Sequence, residues 1–145
     1  MVIKLTQRLA GNCHTADWAP DESCFAVSCE IGQVYLFSFE VLQNDDLDIK
    51  LSATYTLKLG PENKGDDYRD YREAIENVKF HPRSDLKLMA YAGAYMAQIV
   101  IVDYTTLQIV QIFNFQPGVE MWNTGLEFSP DGDHLYAPFS TNMPW

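Results

Sequence analysis

The chain has 145 residues, with 10 basic and 20 acidic side chains, so its net charge at pH 7 is −10. This acidity argues against nucleic-acid binding, because no excess of Lys and Arg is present to displace counterions. It also argues against attachment to an anionic membrane surface. A hydrophobic share of 47% with 13% aromatics predicts a folded chain of about one domain. No apolar run approaches the roughly 20 residues of a membrane-spanning helix.

Three cysteines, Cys13, Cys24 and Cys29, form no Cys-x-x-Cys pair. Small secreted domains normally carry an even number of cysteines that pair into disulfides. The odd count therefore favours a reducing compartment, the cytoplasm or the nucleus, and structural roles for these thiols. The segment 1–9 carries Lys4 and Arg8 within its apolar stretch, which is not the pattern of a signal peptide.

The predicted elements are almost entirely short strands. Taken in chain order, the aromatic and β-branched runs are 25–29, 33–39, 51–59, 98–102 and 108–113. Runs of this length are too short for buried helices, and β-branched and aromatic side chains suit a pleated surface. No stretch sustains a strong helical period. The sequence therefore predicts an all-β fold.

Three segments, 16–27, 77–90 and 125–137, repeat one pattern. Each contains an aromatic residue, a small residue or His, a proline, a polar turn and a new apolar strand. The aromatic and proline positions are Trp18 and Pro20, Phe80 and Pro82, and Phe128 and Pro130. Proline sets the first turn position, and Asp and Gly complete the reversal. The repeating unit is therefore strand, tight turn, strand, with the aromatic residues in the core of the unit.

This pattern resembles the first hairpin of a blade in the WD-repeat and related β-propeller families, most closely in the Phe-Ser-Pro-Asp-Gly run at 128–132. Where the family usually ends its third strand with Trp-Asp, this chain has Phe39-Glu40 and Val102-Asp103. The Gly-His dipeptide that often opens a repeat is missing, although His14 lies near that place. The resemblance covers roughly residues 10–140. It implies β-propeller blades of four antiparallel strands.

The repeat spacing predicts the domain organisation. The prolines are 62 residues apart (20 to 82) and then 48 apart (82 to 130), against about 40–45 residues for a WD-type blade. We expect a leading strand at 1–9, blade one at 10–59, an acidic inter-blade loop at 60–77, blade two at 78–118 and the first hairpin of blade three at 119–145. Since propellers contain about 4–8 blades, this is an incomplete ring. The chain is then either a fragment of a longer product or a unit that self-associates or is complemented by another propeller segment.

The most distinctive surface candidate lies in the predicted inter-blade loop. This loop forms the end of an acidic stretch, residues 40–76, that holds ten of the 20 acids. The candidate partner-binding residues are Asp66, Asp67, Tyr68, Arg69, Asp70, Tyr71 and Arg72, together with Trp122 before the third hairpin. Tyr, Trp and Arg are residue types that anchor protein interfaces, and the acids would steer a basic partner. The alternative is that 66–72 is a solvated loop.

No catalytic motif is present: there is no phosphate-binding glycine loop, no Gly-x-Ser-x-Gly and no His-Glu-x-x-His. The histidines, His14, His81 and His134, occupy similar stages of the three repeats. Hydrogen bonding in turns and at strand edges explains them more simply than metal binding. The sequence 131–133 lacks the pattern of a calcium loop. We therefore expect no catalytic residue, no cofactor and no metal.

The resemblance implies a non-enzymatic scaffold or adaptor subunit that binds proteins. The expected partners are a basic peptide or a subunit of a larger complex, with no nucleic acid and no membrane. The alternative is a propeller enzyme, or a propeller that binds a small ligand or metal through His and Asp at the blade tops. The pairs His14/Asp17 and His134/Asp133 would be its starting points.

Overall fold

The fold is seen in a computed structural model, which describes residues 9, 11–29, 32–41, 47–56, 75–93, 98–114 and 125–138. These residues form ten strands, arranged as two four-stranded sheets and one hairpin. All strand pairs are antiparallel. The described residues contain no helix that is long and apolar enough to cross a membrane.

Both four-stranded sheets follow the order of the chain. Blade one consists of β1 (Cys13–Trp18), β2 (Cys24–Cys29), β3 (Gln33–Val41) and β4 (Leu47–Thr56). Blade two consists of β5 (Ile75–Phe80), β6 (Leu88–Gly93), β7 (Gln98–Asp103) and β8 (Gln108–Asn114). The third hairpin consists of β9 (Glu127–Phe128) and β10 (Leu135–Tyr136). The all-β prediction and the predicted blades of four antiparallel strands are confirmed.

The repeated turn closes each hairpin in the same way. The residue after the matched aromatic donates its backbone N–H across the turn: Ala19 to the Cys24 carbonyl at 3.0 Å, His81 to Leu88 at 2.9 Å and Ser129 to His134 at 2.9 Å. In the third hairpin the Gly132 N–H also bonds to the Ser129 carbonyl at 2.8 Å. The strand–turn–strand unit is thus present in all three repeats.

The middle strand β6 is buried on both sides because blade two lies between blade one and the third hairpin. Side chains alternate along a strand, so Met89 and Tyr91 pack into the cluster shared with blade one. Ala90 and Ala92 pack into the cluster shared with the third hairpin. A strand buried on both faces reads as a continuous apolar run, as the sequence of β6 does.

The strand bounds differ in detail from the sequence expectation. β4 extends from Leu47 to Thr56, and β5 already begins at Ile75, before the boundary at 78 that we predicted for blade two. The predicted leading strand, of which only Leu9 is described, and most of the predicted loop at 60–77 lie outside the described residues.

Candidate protein-binding surface

Each described unit covers one face of the unit before it. A buried cluster joins the face of blade one that carries Ala26, Val34 and Leu36 to the face of blade two that carries Phe80 and Met89. A second cluster joins the opposite face of blade two to the third hairpin; its members include Ala90, Ala92, Ile99, Leu126, Phe128 and Leu135. The matched aromatic of a repeat therefore packs against the preceding unit.

Trp18 occupies the same repeat position as Phe80 but has no preceding unit among the described residues. Its side chain is 54% exposed, whereas Phe80 is 5% exposed. We expected both to be blade core, which is correct for Phe80 and wrong for Trp18. The difference in exposure arises because blade one packs against Phe80, whereas no preceding unit among the described residues packs against Trp18.

Trp18 belongs to an aromatic surface on blade one, which we call the open face and define by Trp18, Phe25 and Phe39; Phe37, which contacts Phe25, is fully buried. The Trp18 ring stacks on Phe39 with centroids 5.2 Å apart and an interplanar angle of 5°. Phe25 lies 5.2 Å from Trp18 and 4.9 Å from Phe37. Stacked rings of this kind stabilise one another by about 0.5–1.5 kcal/mol per pair. The open face is thus a preformed apolar surface.

At the other end of the described fold, β8 and the third hairpin also expose aromatic side chains. Phe113 on β8 and Tyr55 on β4 hold equivalent places, since they pair with Ile99 and Val34 respectively. Tyr55 is 8% exposed because blade two covers it, whereas Phe113 is 44% exposed. Tyr136 on the third hairpin is 60% exposed.

The first strands of blade one and blade two are joined by side chains that satisfy backbone donors. The Phe80 N–H donates to Asp17 Oδ2 at 2.8 Å, and the Val78 N–H donates to Thr15 Oγ1 at 3.2 Å. These two N–H groups lie on the edge of β5 that is not paired with β6. A buried backbone donor without a partner costs about 1–3 kcal/mol. Asp17 and Thr15 thus hold blade two against blade one.

A line of alternating charge follows the first strands of all three units. Lys79 Nζ lies 3.6 Å from Asp17 Oδ1 and 3.2 Å from Glu127 Oε2. Each of the three residues immediately precedes the matched aromatic of its repeat. Partial burial opposes the charged form of Lys79, but Asp17 and Glu127 outweigh it and raise the pKa of the ammonium group. The Glu127 side chain remains 69% exposed and is accessible to a basic ligand.

At the turn end of the blades, Asp21 of blade one forms an ion pair with Lys87 of blade two. The hydrogen bond from Lys87, supported by those from Ser23, lowers the pKa of Asp21 to about 2. Asp21 therefore stays charged over the whole physiological range. This pair fixes the two turns next to each other on the surface.

His81 links the turns of blade two and the third hairpin. Its Nδ1 accepts a hydrogen bond from the Arg83 N–H at 3.1 Å, so Nε2 carries the hydrogen and donates to the Gly132 carbonyl at 3.0 Å. The ring also packs edge-on against Phe128 with centroids 4.9 Å apart. For His81, this is the turn hydrogen bonding that the sequence predicts.

No protein-family profile and no curated protein matches the sequence. Among solved structures the fold is similar to Sqt1 from Chaetomium thermophilum, with a TM-score of 0.57 and 21% identity over 80% of this chain and 25% of that chain. It is also similar to Chaetomium thermophilum Sqt1 bound to the N-terminus of the ribosomal protein L10, with a TM-score of 0.56 and 20% identity over 80% of this chain and 27% of that chain. The fold is a partial β-propeller.

At this identity it is the fold that is shared. The chain spans about a quarter of the length of the Sqt1 chains that it matches. The first strands β1, β5 and β9 lie side by side, so Asp17, Lys79 and Glu127 form one charged line across the three units.

The candidate residues of the inter-blade segment, 66–72, and Trp122 lie outside the described residues. They stay a prediction. The flanking strands show where they attach: 57–74 connects the last strand of blade one to the first strand of blade two, and 115–124 connects blade two to the third hairpin.

The described part of the propeller holds no group of three or more His, Cys, Asp or Glu side chains placed to bind a metal ion. Asp131 Oδ1 accepts hydrogen bonds from the Ser129 hydroxyl and the Asp133 N–H, so it serves the turn. His134 stacks on Tyr136. The charged line along the first strands was missed by our sequence reasoning, although its signal was available as the residue before each matched aromatic.

Proposed function

We propose that this chain belongs to a non-enzymatic propeller scaffold that binds a basic segment of a protein partner. The observation that carries the proposal is the similarity to a solved Sqt1 structure that is bound to a protein segment, the N-terminus of the ribosomal protein L10. The net charge of −10 favours a basic partner through long-range attraction. The partner is then a peptide-like segment or a subunit of a larger complex.

The proposed contact residues are those of the inter-blade segment and Trp122. Rigid blades with recognition residues on their connecting segments are a common way to build a binding site. Tyr68, Tyr71 and Trp122 would supply apolar anchors, and the neighbouring acids would supply attraction. The exposed carboxylate of Glu127 adds accessible negative charge. The cytoplasm or the nucleus is the proposed compartment.

Peptide binding tests the proposal directly. Fluorescence anisotropy would compare a labelled peptide from the N-terminus of ribosomal protein L10, a Lys/Arg-rich peptide and an acidic peptide of equal length. We expect binding of a basic peptide that weakens at least tenfold when Tyr68 and Tyr71 are both changed to Ala, since each such anchor contributes about 1–2 kcal/mol. Binding should also weaken with added salt.

Leu86→Ser serves as the matched control, because Leu86 is exposed on the turn between β5 and β6, at the opposite end of β5 from Ile75, where the inter-blade segment joins it. It should leave peptide affinity unchanged. Equal affinity for the acidic peptide, or no binding by a chain with an intact β-sheet circular dichroism spectrum, would contradict the proposal.

A further inference from the structure

Two of the three thiols meet across the first hairpin of blade one. Cys13 and Cys29 are directly opposed in the β1–β2 ladder, and their Sγ atoms are 3.0 Å apart. Opposed residues of antiparallel strands have Cα atoms about 4.5–5.5 Å apart, within the separation that a disulfide spans. A disulfide needs an S–S distance of about 2.05 Å, so the sulfurs need to approach by only about 1 Å.

A β-bulge creates this encounter. The pairs Trp18–Phe25 and Ala16–Val27 set a register that would place His14 opposite Cys29, but the register shifts between Cys13 and Ala16. The bulge is held by Thr15, whose N–H donates to Ser28 Oγ at 3.2 Å and whose hydroxyl bonds to the same atom at 3.0 Å. Ser28 is fully buried. The thiols are therefore positioned by ordered backbone on both strands.

The two cysteines differ in solvent exposure, as stepwise formation of a disulfide requires. Cys13 is exposed, whereas Cys29 is fully buried and packs with Tyr35 and Phe37. An oxidant in solution can reach Cys13 first, and Cys29 is then the neighbour that completes the reaction. Disulfides in a reducing compartment are usually transient and respond to redox conditions.

We propose that Cys13 and Cys29 form a reversible disulfide across β1 and β2, with a small-molecule disulfide such as oxidised glutathione as the oxidant. The Cys13 thiolate attacks one glutathione sulfur, which forms a mixed disulfide and releases one reduced glutathione. Cys29, as its thiolate, then attacks Cys13 Sγ and releases the second reduced glutathione. The protein loses two electrons and two protons, and one oxidised glutathione becomes two reduced ones.

Cys24 provides an internal control. It lies at the other end of β2, five residues from Cys29 and hence about 17 Å away along the strand. Its burial raises the pKa of its thiol, which disfavours the reactive thiolate. It packs in the cluster between the two blades, on the opposite side of the sheet from Cys29.

The test uses the folded chain in buffers of increasing ratio of oxidised to reduced glutathione, with free thiols then blocked by an alkylating reagent and counted by intact mass. Trypsin leaves all three cysteines in one peptide, because no Lys or Arg occurs between Arg8 and Lys50. Cleavage after Glu22 and after Phe25 separates them, so a linked fragment identifies the pair. We expect one free thiol, at Cys24, and a mass lower by two hydrogens before alkylation.

Cys24→Ser should form the same link, Cys13→Ser should form none, and Cys29→Ser should accumulate glutathione on Cys13. Reduction with dithiothreitol should restore three free thiols in the wild-type chain. Three free thiols under oxidising conditions, a persistent mixed disulfide on wild-type Cys13, or a link through Cys24 would each overturn the proposal. None of these readouts depends on partner binding.

Discussion

Gly132 shows how a single residue in a turn depends on a neighbour from another blade. Its φ is +82°, and a Cβ built there would lie 2.2 Å from His81 Cε1. An L-residue in the left-handed region costs about 1–2 kcal/mol, and the His81 ring cannot withdraw without losing its bond to the Gly132 carbonyl. The last position of the repeated turn is thus restricted by packing as well as by backbone conformation.

We expect Gly132→Ala to lower the free energy of unfolding by about 2 kcal/mol or more, measured by urea denaturation. Gly125→Ala is the control, because a Cβ there meets nothing within 4 Å, and it should change stability by about 0.5 kcal/mol or less. In a His81→Ala background the clash between the new Cβ and the His81 ring should disappear, so Gly132→Ala should lower the free energy of unfolding by less. Equal costs at the two glycines would contradict this account.

The ion pair between Asp21 and Lys87 predicts how the stability of the fold depends on pH. The pKa of the Asp21 carboxyl is about 2 in the folded chain, below the value of about 3.9 expected in the unfolded chain. The stability that the charged form contributes is therefore complete only above about pH 5, and it is lost as the pH falls from there toward 2. Asp21→Asn and Lys87→Gln should both flatten the fall in Tm between pH 5 and pH 2 relative to the wild-type chain. Identical Tm profiles for wild type and both variants would show that the pair contributes nothing.

At the scale of the elements, the contact between β1 and β5 depends on side chains that replace a missing strand partner. The outer edge of β5 would leave the N–H groups of Val78 and Phe80 without acceptors, and Thr15 and Asp17 supply them. Sheet edges in proteins are commonly covered in this way, because open edges pair with other chains. The two blades are thus joined by directed hydrogen bonds as well as by apolar packing.

Asp17→Ala should lower the free energy of unfolding by about 1–3 kcal/mol, because it leaves the Phe80 N–H without an acceptor in a buried position. Asp17→Asn keeps an acceptor and should cost less. Glu127→Gln removes an exposed charge from the same line and should change stability by about 0.5 kcal/mol or less. Chemical denaturation of the three variants measures the difference. If Asp17→Ala and Glu127→Gln were equally mild, the edge of β5 would not depend on Asp17.

For the whole molecule, the two ends of the described fold are complementary in kind. Blade one presents the aromatic open face. The corresponding face of blade two is covered by blade one, and that of the third hairpin is covered by blade two. The other end exposes Phe113 and Tyr136. A second copy of the chain that packs head to tail would place one end against the other, which is a heterologous contact.

We expect the isolated chain to self-associate with increasing concentration, and Trp18→Ser to weaken this association. Sedimentation velocity over a concentration series measures it. Trp18 is 54% exposed, so its replacement should leave the fold intact, as circular dichroism would verify. Leu86→Ser, which removes an exposed apolar side chain from a turn, should not change the association. A monodisperse monomer at all concentrations would contradict the prediction.

Local patterns were enough to predict the all-β fold, the three strand–turn–strand units and their Pro-containing turns. Each of these depends on residues close together in the chain: alternating apolar side chains set strands, and Pro, Asp and Gly set reversals. The exact strand bounds were less accessible, since β5 begins at Ile75 inside a region rich in charge. There the packing of Ile75 into the inter-blade cluster outweighs local composition.

Burial of the repeated aromatics and the meeting of Cys13 with Cys29 were decided only by tertiary structure. Trp18 and Phe80 hold the same place in the repeat, yet one is exposed and the other buried, because burial depends on which blade lies next to it. The two cysteines are opposed because a bulge shifts the register by one residue, and a bulge depends on hydrogen bonds to the facing strand. The repeated sequence pattern determines each strand–turn–strand unit. Contacts between units and between strands determine which repeated side chains are buried and which residues meet.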